Sequence, residues 1–305
     1  MDDDALLEHL GPTAERLLDR HLATAKEWFP HEFVPWGRGR DFATGDEWDP
    51  SAYAMPDAVR SALYVNLLTE DNLPYYFHTI DNHFGKDRDS AFRIWNRRWT
   101  AEENRHAIVM RDYFMVTRAL DPVALERARM AQMCAAVVPE PDHVADALCY
   151  VALQELATRI SHRNTGKLLE DKAGYEIMAR VAADENLHYL FYRDLVSAAL
   201  ELDPSTMVCA IERQVREFEM PGVGIIDFSA HAAAIARAGI YDFVIHHDQI
   251  LGGVVLRHWK VDALEGLDDE AERAREALMA HIDRVGRVAR RFAERRSDAP
   301  LVDAH

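Results

Sequence analysis

An all-α chain built around a four-helix bundle is the fold class that this sequence predicts, and three observations predict it. Apolar residues recur at three- and four-residue spacing through most of the chain, and no stretch alternates with period two. Two glutamate–histidine pairs also stand in matching frames, Glu102-Glu103-Asn104-Arg105-His106 and Asp184-Glu185-Asn186-Leu187-His188. Each pair puts a carboxylate and an imidazole on one helix face, which is how a four-helix bundle presents half of a two-metal site. A third pair, Glu140 and His143, is a decoy, because Pro141 between its members argues against a helix interior.

Taken in order, the chain begins with a helix to about Trp28, followed by a loop containing proline and tryptophan that ends at Pro56, a residue suited to a helix start. Four ligand-bearing helices are expected near residues 57–85, 88–119, 144–168 and 171–200. Beyond Pro204 come further amphipathic helices, including one around 227–238 and one around 242–258. A charged helix then covers 268–296 and the last nine residues fray. The expected organisation is one domain over 1–305: an N-terminal helix and loop (1–56), a metal-binding core (57–200), added helices (201–296) and a tail (297–305).

The apolar stripes say which polar groups point inward. Trp99, Glu103, His106, Met110 and Tyr113 share one helix face, and so do Met178, Val181, Glu185, His188 and Tyr192. Glu155 joins Leu148, Val151 and Thr158, and Glu70 extends the stripe Val59, Leu63, Leu67. An unpaired carboxylate on such a face costs several kcal/mol, so a compensating positive charge is required. Two divalent cations neutralise four carboxylates, and the bundle design calls for one glutamate on each of two helices plus a glutamate–histidine pair on each of the others. Glu70, Glu103, His106, Glu155, Glu185 and His188 fill that scheme. Oxygen and nitrogen donors together suit iron or manganese and do not separate them.

Longer words of sequence carry a resemblance: Trp28-Phe29-Pro30 followed by Phe33-Val34-Pro35, Thr69-Glu70-Asp71-Asn72-Leu73-Pro74, Trp99 through His106, Gln154 through His162, Ala183 through His188, and Trp259-Lys260-Val261-Asp262. In these the chain resembles the soluble acyl-acyl carrier protein desaturases, the ferritin-like family of plant stearoyl desaturases, and more closely its actinobacterial branch. The resemblance implies a homodimeric ferritin-like enzyme with two ferrous ions on the six residues above, manganese being a possible substitute. It implies a carrier-bound acyl chain as substrate, dioxygen as oxidant, a ferredoxin-type electron donor and a cis double bond as product. Thr158 matches a threonine associated with proton delivery, and Trp28 and Asp184 match residues on an electron route. Read from the residues alone, Thr158 also suits a back-bond within its helix, Trp28 packing, and Asp184 a solvated helix charge. Two departures stand out: Asn186-Leu187 replace a Lys-Arg of the plant enzymes, and Thr79, Asn82 and His83 fall where the family lines its acyl channel with mainly apolar or small residues. The same metal ligands leave open a hydroxylase or N-oxygenase on another carrier-bound substrate, or a binding protein without turnover.

Composition agrees. Hydrophobic residues make up 49% of the 305, enough for a large core. The chain opens with Met1-Asp2-Asp3-Asp4, which is no secretory signal, and it has no run of about 20 apolar residues, so no transmembrane segment is expected. Cys134, Cys149 and Cys209 follow no metal spacing and read as reduced core residues of a cytoplasmic protein. A net charge of −17 argues against nucleic acid. An acidic carrier then requires a local basic patch, either Arg284, Arg287, Arg291 and Arg295 or Arg93, Arg97 and Arg98.

Overall fold

The computed structural model describes every residue except 44, 54, 136, 137, 221, 223 and 299–305. Among the described residues twelve α-helices follow in chain order: α1 (Asp3–Thr24), α2 (Pro30–Phe33), α3 (Asp57–Glu70), α4 (Leu73–His83), α5 (Ala91–Thr117), α6 (Pro122–Ala135), α7 (Val144–Lys167), α8 (Lys172–Leu202), α9 (Pro204–Arg216), α10 (Phe228–Arg237), α11 (Phe243–Ile245) and α12 (Asp269–Asp298). A π-helix spans His246–His258. No strand occurs among the described residues.

Side-chain caps set the main boundaries. Asp2 accepts from Ala5 N–H at 2.9 Å, Ser90 from Arg93 N–H at 3.4 Å, Asp171 from Gly174 N–H at 3.0 Å and Asp203 from Thr206 N–H at 3.1 Å. The expected helix 57–85 is broken at Asp71-Asn72, because Pro74 has no N–H to bond the carbonyl of Glu70. Helix α6, which the sequence does not announce, buries only Pro122, Leu125 and Gln132 and so carries no apolar stripe. The segment 242–258 winds as a π-helix over most of its length, with the permissive Gly252-Gly253 pair in the middle. Helix α12 extends through Asp298; of the expected frayed tail, 299–305 lie outside the described residues.

Helices α3, α5, α7 and α8 form the bundle, with α7 and α8 lying along each other. Helix α1 packs on α5 and α8, α10 covers α3, and α9 and α12 stack outward from α7. Gly174 permits close approach inside the bundle, since a Cβ there would sit 2.6 Å from the Tyr113 hydroxyl. Two apolar clusters divide the interior, one around Trp95, Leu148, Phe191 and Tyr192, the other around Leu63, Leu67, Met110 and Met178. Along α5 and α8 residues 102–106 and 184–188, polar except for Leu187, fall between these clusters. That places a band of buried charge across the middle of the molecule.

Candidate metal centre

Glu70 ends α3, Glu103 and His106 stand on α5, Glu155 on α7, and Glu185 and His188 on α8. All six are buried, and both histidines are inaccessible to solvent. Glu70, Glu103, His106 and Glu185 each offer a ligand atom within 4.8 Å of the others, and so do Glu103, Glu155, Glu185 and His188. Glu103 and Glu185 belong to both sets, the arrangement of carboxylates shared between two ions.

The histidine Nδ1 atoms face this cluster. His106 Nδ1 lies 3.2 Å from Glu103 Oε2, 3.4 Å from Glu185 Oε1 and 3.9 Å from Glu70 Oε2. His188 Nδ1 lies 2.7 Å from Glu103 Oε1, 3.6 Å from Glu155 Oε2 and 3.7 Å from Glu185 Oε2. Yet His188 Nδ1, Glu103 Oε1 and Glu155 Oε2 are buried without a hydrogen bond from the protein. Buried polar atoms left in that state call for another partner, and converging oxygen and nitrogen donors suit divalent ions of the iron or manganese type. Burial and the charge of Glu103 push Glu70 up to about 8 despite a hydrogen bond from His162. Burial and the charge of Glu185 raise Glu155 likewise. These carboxylates repel one another, and cations would relieve the repulsion.

Outside this set the two histidine Nε2 atoms meet carboxylates. His188 Nε2 is 3.0 Å from Glu102 Oε2, which His21 Nε2 also approaches at 2.9 Å. His106 Nε2 is 3.5 Å from Asp184 Oδ2, which accepts from Trp28 Nε1–H at 2.7 Å and from Arg105 at 3.3 Å, while Arg180 pairs with Oδ1. Burial opposes ionisation of both acids. In Asp184 the charges of His106 and His188, with the hydrogen bond from Trp28, outweigh it and bring the carboxyl to about 2. In Glu102 the hydrogen bonds of His188 and His21 hold it well below the usual carboxylate range.

The structure thus gathers the six expected ligands and places Trp28 against Asp184. Trp28 also stacks on His106, 6.4 Å between centroids at 13°, under the Arg105 guanidinium. Thr158 does back-bond within α7, to the carbonyls of Gln154 (3.2 Å) and Glu155 (3.1 Å). Three residues escaped the sequence reading. Glu102 holds the frame position that Asp184 holds in the second pair, a signal that was present. His162 lies 3.2 Å from Glu70 and follows Glu155 by two helical turns on one face. His21 comes from α1, and nothing local marks it. The decoy behaves as expected: 138–143 lie outside any helix, and exposed His143 sits 3.6 Å from Asp3.

Two cavities adjoin the cluster and share Thr69, Glu70 and Thr158 as lining. One, of about 210 Å³, is walled by Asn66, Ser161, His162, Phe228 and Ile235 among others. The second, of about 40 Å³, is walled by Tyr76, Thr79, Trp99, Tyr150 and Gln154 among others. Thr79 lines the second cavity. Asn82 and His83 do not: Asn82 is exposed and pairs with His78 at 3.2 Å, and His83 lines neither cavity. The cysteine expectation also changes, since Cys149 is buried but Cys134 is exposed; all three are free.

An all-helical bundle that gathers two glutamate–histidine pairs and two further glutamates beside apolar cavities fits a class of protein, the carboxylate-bridged two-metal bundles. The sequence profile of the fatty acid desaturase family matches residues 2–303, and the chain belongs to that family. It is 40% identical over 288 residues to DesA1 of Mycobacterium tuberculosis H37Rv, provisionally named an acyl-[acyl-carrier-protein] desaturase, covering 91% of this chain and 84% of that protein. It is 28% identical over 309 residues to the chloroplastic stearoyl-[acyl-carrier-protein] 9-desaturase of Spinacia oleracea, covering 95% of this chain and 76% of that one. The X-ray structure of DesA2 from Mycobacterium tuberculosis H37Rv superposes with a TM-score of 0.71 at 27% identity, covering 88% of this chain and 99% of that one.

Because Glu103 and Glu185 belong to both ligand sets, truncating either to alanine should leave at most one ion per chain. Elemental analysis of the purified variants checks this; two retained ions would remove these glutamates from the centre.

Proposed function

We propose that this desaturase acts on an acyl chain tethered to acyl carrier protein, inserting a cis double bond at the expense of dioxygen and a ferredoxin-type donor. The observation that carries the reading is the meeting of two cavities, largely apolar, at Glu70 and Thr158, on the edge of a ligand set suited to two metal ions. In the balanced reaction the chain loses two hydrogens, the donor supplies two electrons, two protons come from solvent, and dioxygen leaves as two waters. Two irons bound by Glu70, Glu103, His106, Glu155, Glu185 and His188 would supply the redox chemistry, with manganese as the substitute. The protein's part is to hold the alkyl chain against that centre and keep bulk water out.

Thr158 stands on the cavity wall one turn from Glu155, where its hydroxyl can hold a proton next to the reacting carbons. Trp28, Asp184 and His106 form a contiguous chain from a loop near the surface to the ligand set, which suits electron entry. For the carrier, the rival patches differ. Arg93 pairs with Asp81 and Arg98 with Glu102, which leaves Arg97. Arg284, Arg287, Arg291 and Arg295 are all exposed along α12. We place the acidic carrier on that stripe, and we read the protein as a cytoplasmic homodimer of lipid biosynthesis. No helix among the described residues is long and apolar enough to cross a membrane.

The reading is tested by supplying iron-loaded protein with reduced ferredoxin, dioxygen and a series of saturated acyl carriers, then analysing the released chains by mass spectrometry. Loss of two mass units with matching oxygen uptake is expected. A gain of one oxygen atom would make the protein a hydroxylase, and tight carrier binding without uptake a binding protein. In the same assay, reversing Arg287 and Arg291 to glutamate should raise KM for the acyl carrier about tenfold or more with kcat nearly unchanged, because rim charges act mainly on encounter. An unaltered KM at low and high salt would exclude the α12 stripe as the docking surface.

A further inference from the structure

The acidic residue that precedes each glutamate–histidine pair reaches across the bundle to the other pair. Glu102 of α5 contacts His188 of α8 at 3.0 Å, and Asp184 of α8 contacts His106 of α5 at 3.5 Å. A neutral imidazole carries one N–H; a carboxylate at Nε2 keeps the proton there and leaves the Nδ1 lone pair for a metal. Each arm then continues outward through one further residue. Behind Asp184 stands Trp28. Behind Glu102 stands His21, the one polar residue among the six side chains that α1 buries. Its ring lies edge-on to Trp95 at 4.9 Å and stacked with His188 at 5.9 Å and 26°. Arg98, on the surface side, pairs with the other oxygen of Glu102 at 2.5 Å.

We infer that Glu102 and His21 are positioning residues for one metal position only, the one beside Glu155 and His188, and that seating of α1 is coupled to loading of that position. The inference rests on the metal-centre reading above. It goes further by making the two positions separately addressable: the acid on one helix governs the histidine of the other, so damage to one arm spares the opposite ion. Helix α1 otherwise docks through Leu6, Leu10, Ala14, Leu17 and Leu18 and through Arg20, which pairs with Asp194 of α8 at 2.6 Å; none of these touches the ligand set. His21 is its single polar link to the centre, and so the contact through which loading would tighten the helix.

The test is stepwise titration of the full-length protein with Co2+ alone, followed in parallel by hydrogen exchange over α1. Wild type should bind two ions and show slowed exchange in α1 as the second arm fills. Glu102→Gln should weaken one ion by about 10- to 100-fold, the usual cost of losing such a partner. Anomalous diffraction from the half-loaded variant should find the remaining ion beside Glu70 and His106. Asp184→Asn should leave the opposite ion, beside Glu155 and His188. His21→Leu should follow Glu102→Gln, whereas His21→Gln, which keeps a donor for Glu102, should restore most of the affinity and the slowed exchange. Equal weakening of both ions by Glu102→Gln, retention of the ion beside His188, or α1 exchange indifferent to metal in wild type would overturn the inference. A wild type that binds no pair of ions would instead overturn the metal-centre reading itself.

Discussion

The structure depends on one electrostatic constraint: four carboxylates are held together in the middle of an apolar bundle. Hydrophobic packing alone would expel them, since a buried unpaired carboxylate costs several kcal/mol. Their persistence on four separate helices calls for compensating charge among them, which cations would supply, and for donors around them. Trp99 donates to Glu155 at 3.0 Å and His162 reaches Glu70 at 3.2 Å. The apolar clusters at either end of the bundle keep this polar band dry. Without them the same residues would be solvated and would have no reason to bind metal tightly.

From the same constraint follows the position of the cavities. A ligand set that must stay dry yet meet a long alkyl chain has to be approached along apolar walls, and the two cavities converge on the Glu70 and Thr158 edge of the cluster. The opposite side is closed by the histidines and the carboxylates behind them. On the proposed function, reacting carbons on one side and electron entry on the other would be served without a shared water path. The break between α3 and α4 belongs to this geometry: by ending α3 at Glu70, Pro74 lets α4 turn Thr79 and Tyr76 into the second cavity while Asn82 faces outward.

Much of this was legible in the sequence because helical periodicity is strict. Residues three or four apart must share a face, so the stripes through Glu103–His106 and Glu185–His188 identified inward-pointing ligands before any coordinates. Glu70 and Glu155 followed from the same stripes. What escaped depends on contacts between elements. His21 reaches the centre through the docking of α1, and no local pattern encodes that. Helix α6 lacks an apolar stripe, and the π-helical winding of 246–258 differs from α-helix by one residue per hydrogen bond, below the resolution of a periodicity reading. The expectation for Asn82 and His83 came from the family resemblance, which does not say which way each side chain turns once α4 starts afresh after the break at Asp71-Asn72. Glu102 is the instructive omission, since the matching frames contained it.

On the proposed reading, Glu103 and Glu185 are shared between two ions in the dry middle of the bundle. Anomalous diffraction from iron-loaded crystals tests it most directly. Two peaks about 3.5–4 Å apart are expected, both within bonding reach of Glu103 and Glu185, one beside Glu70 and His106 and the other beside Glu155 and His188. A single peak, or a pair lying anywhere else in the molecule, would contradict it.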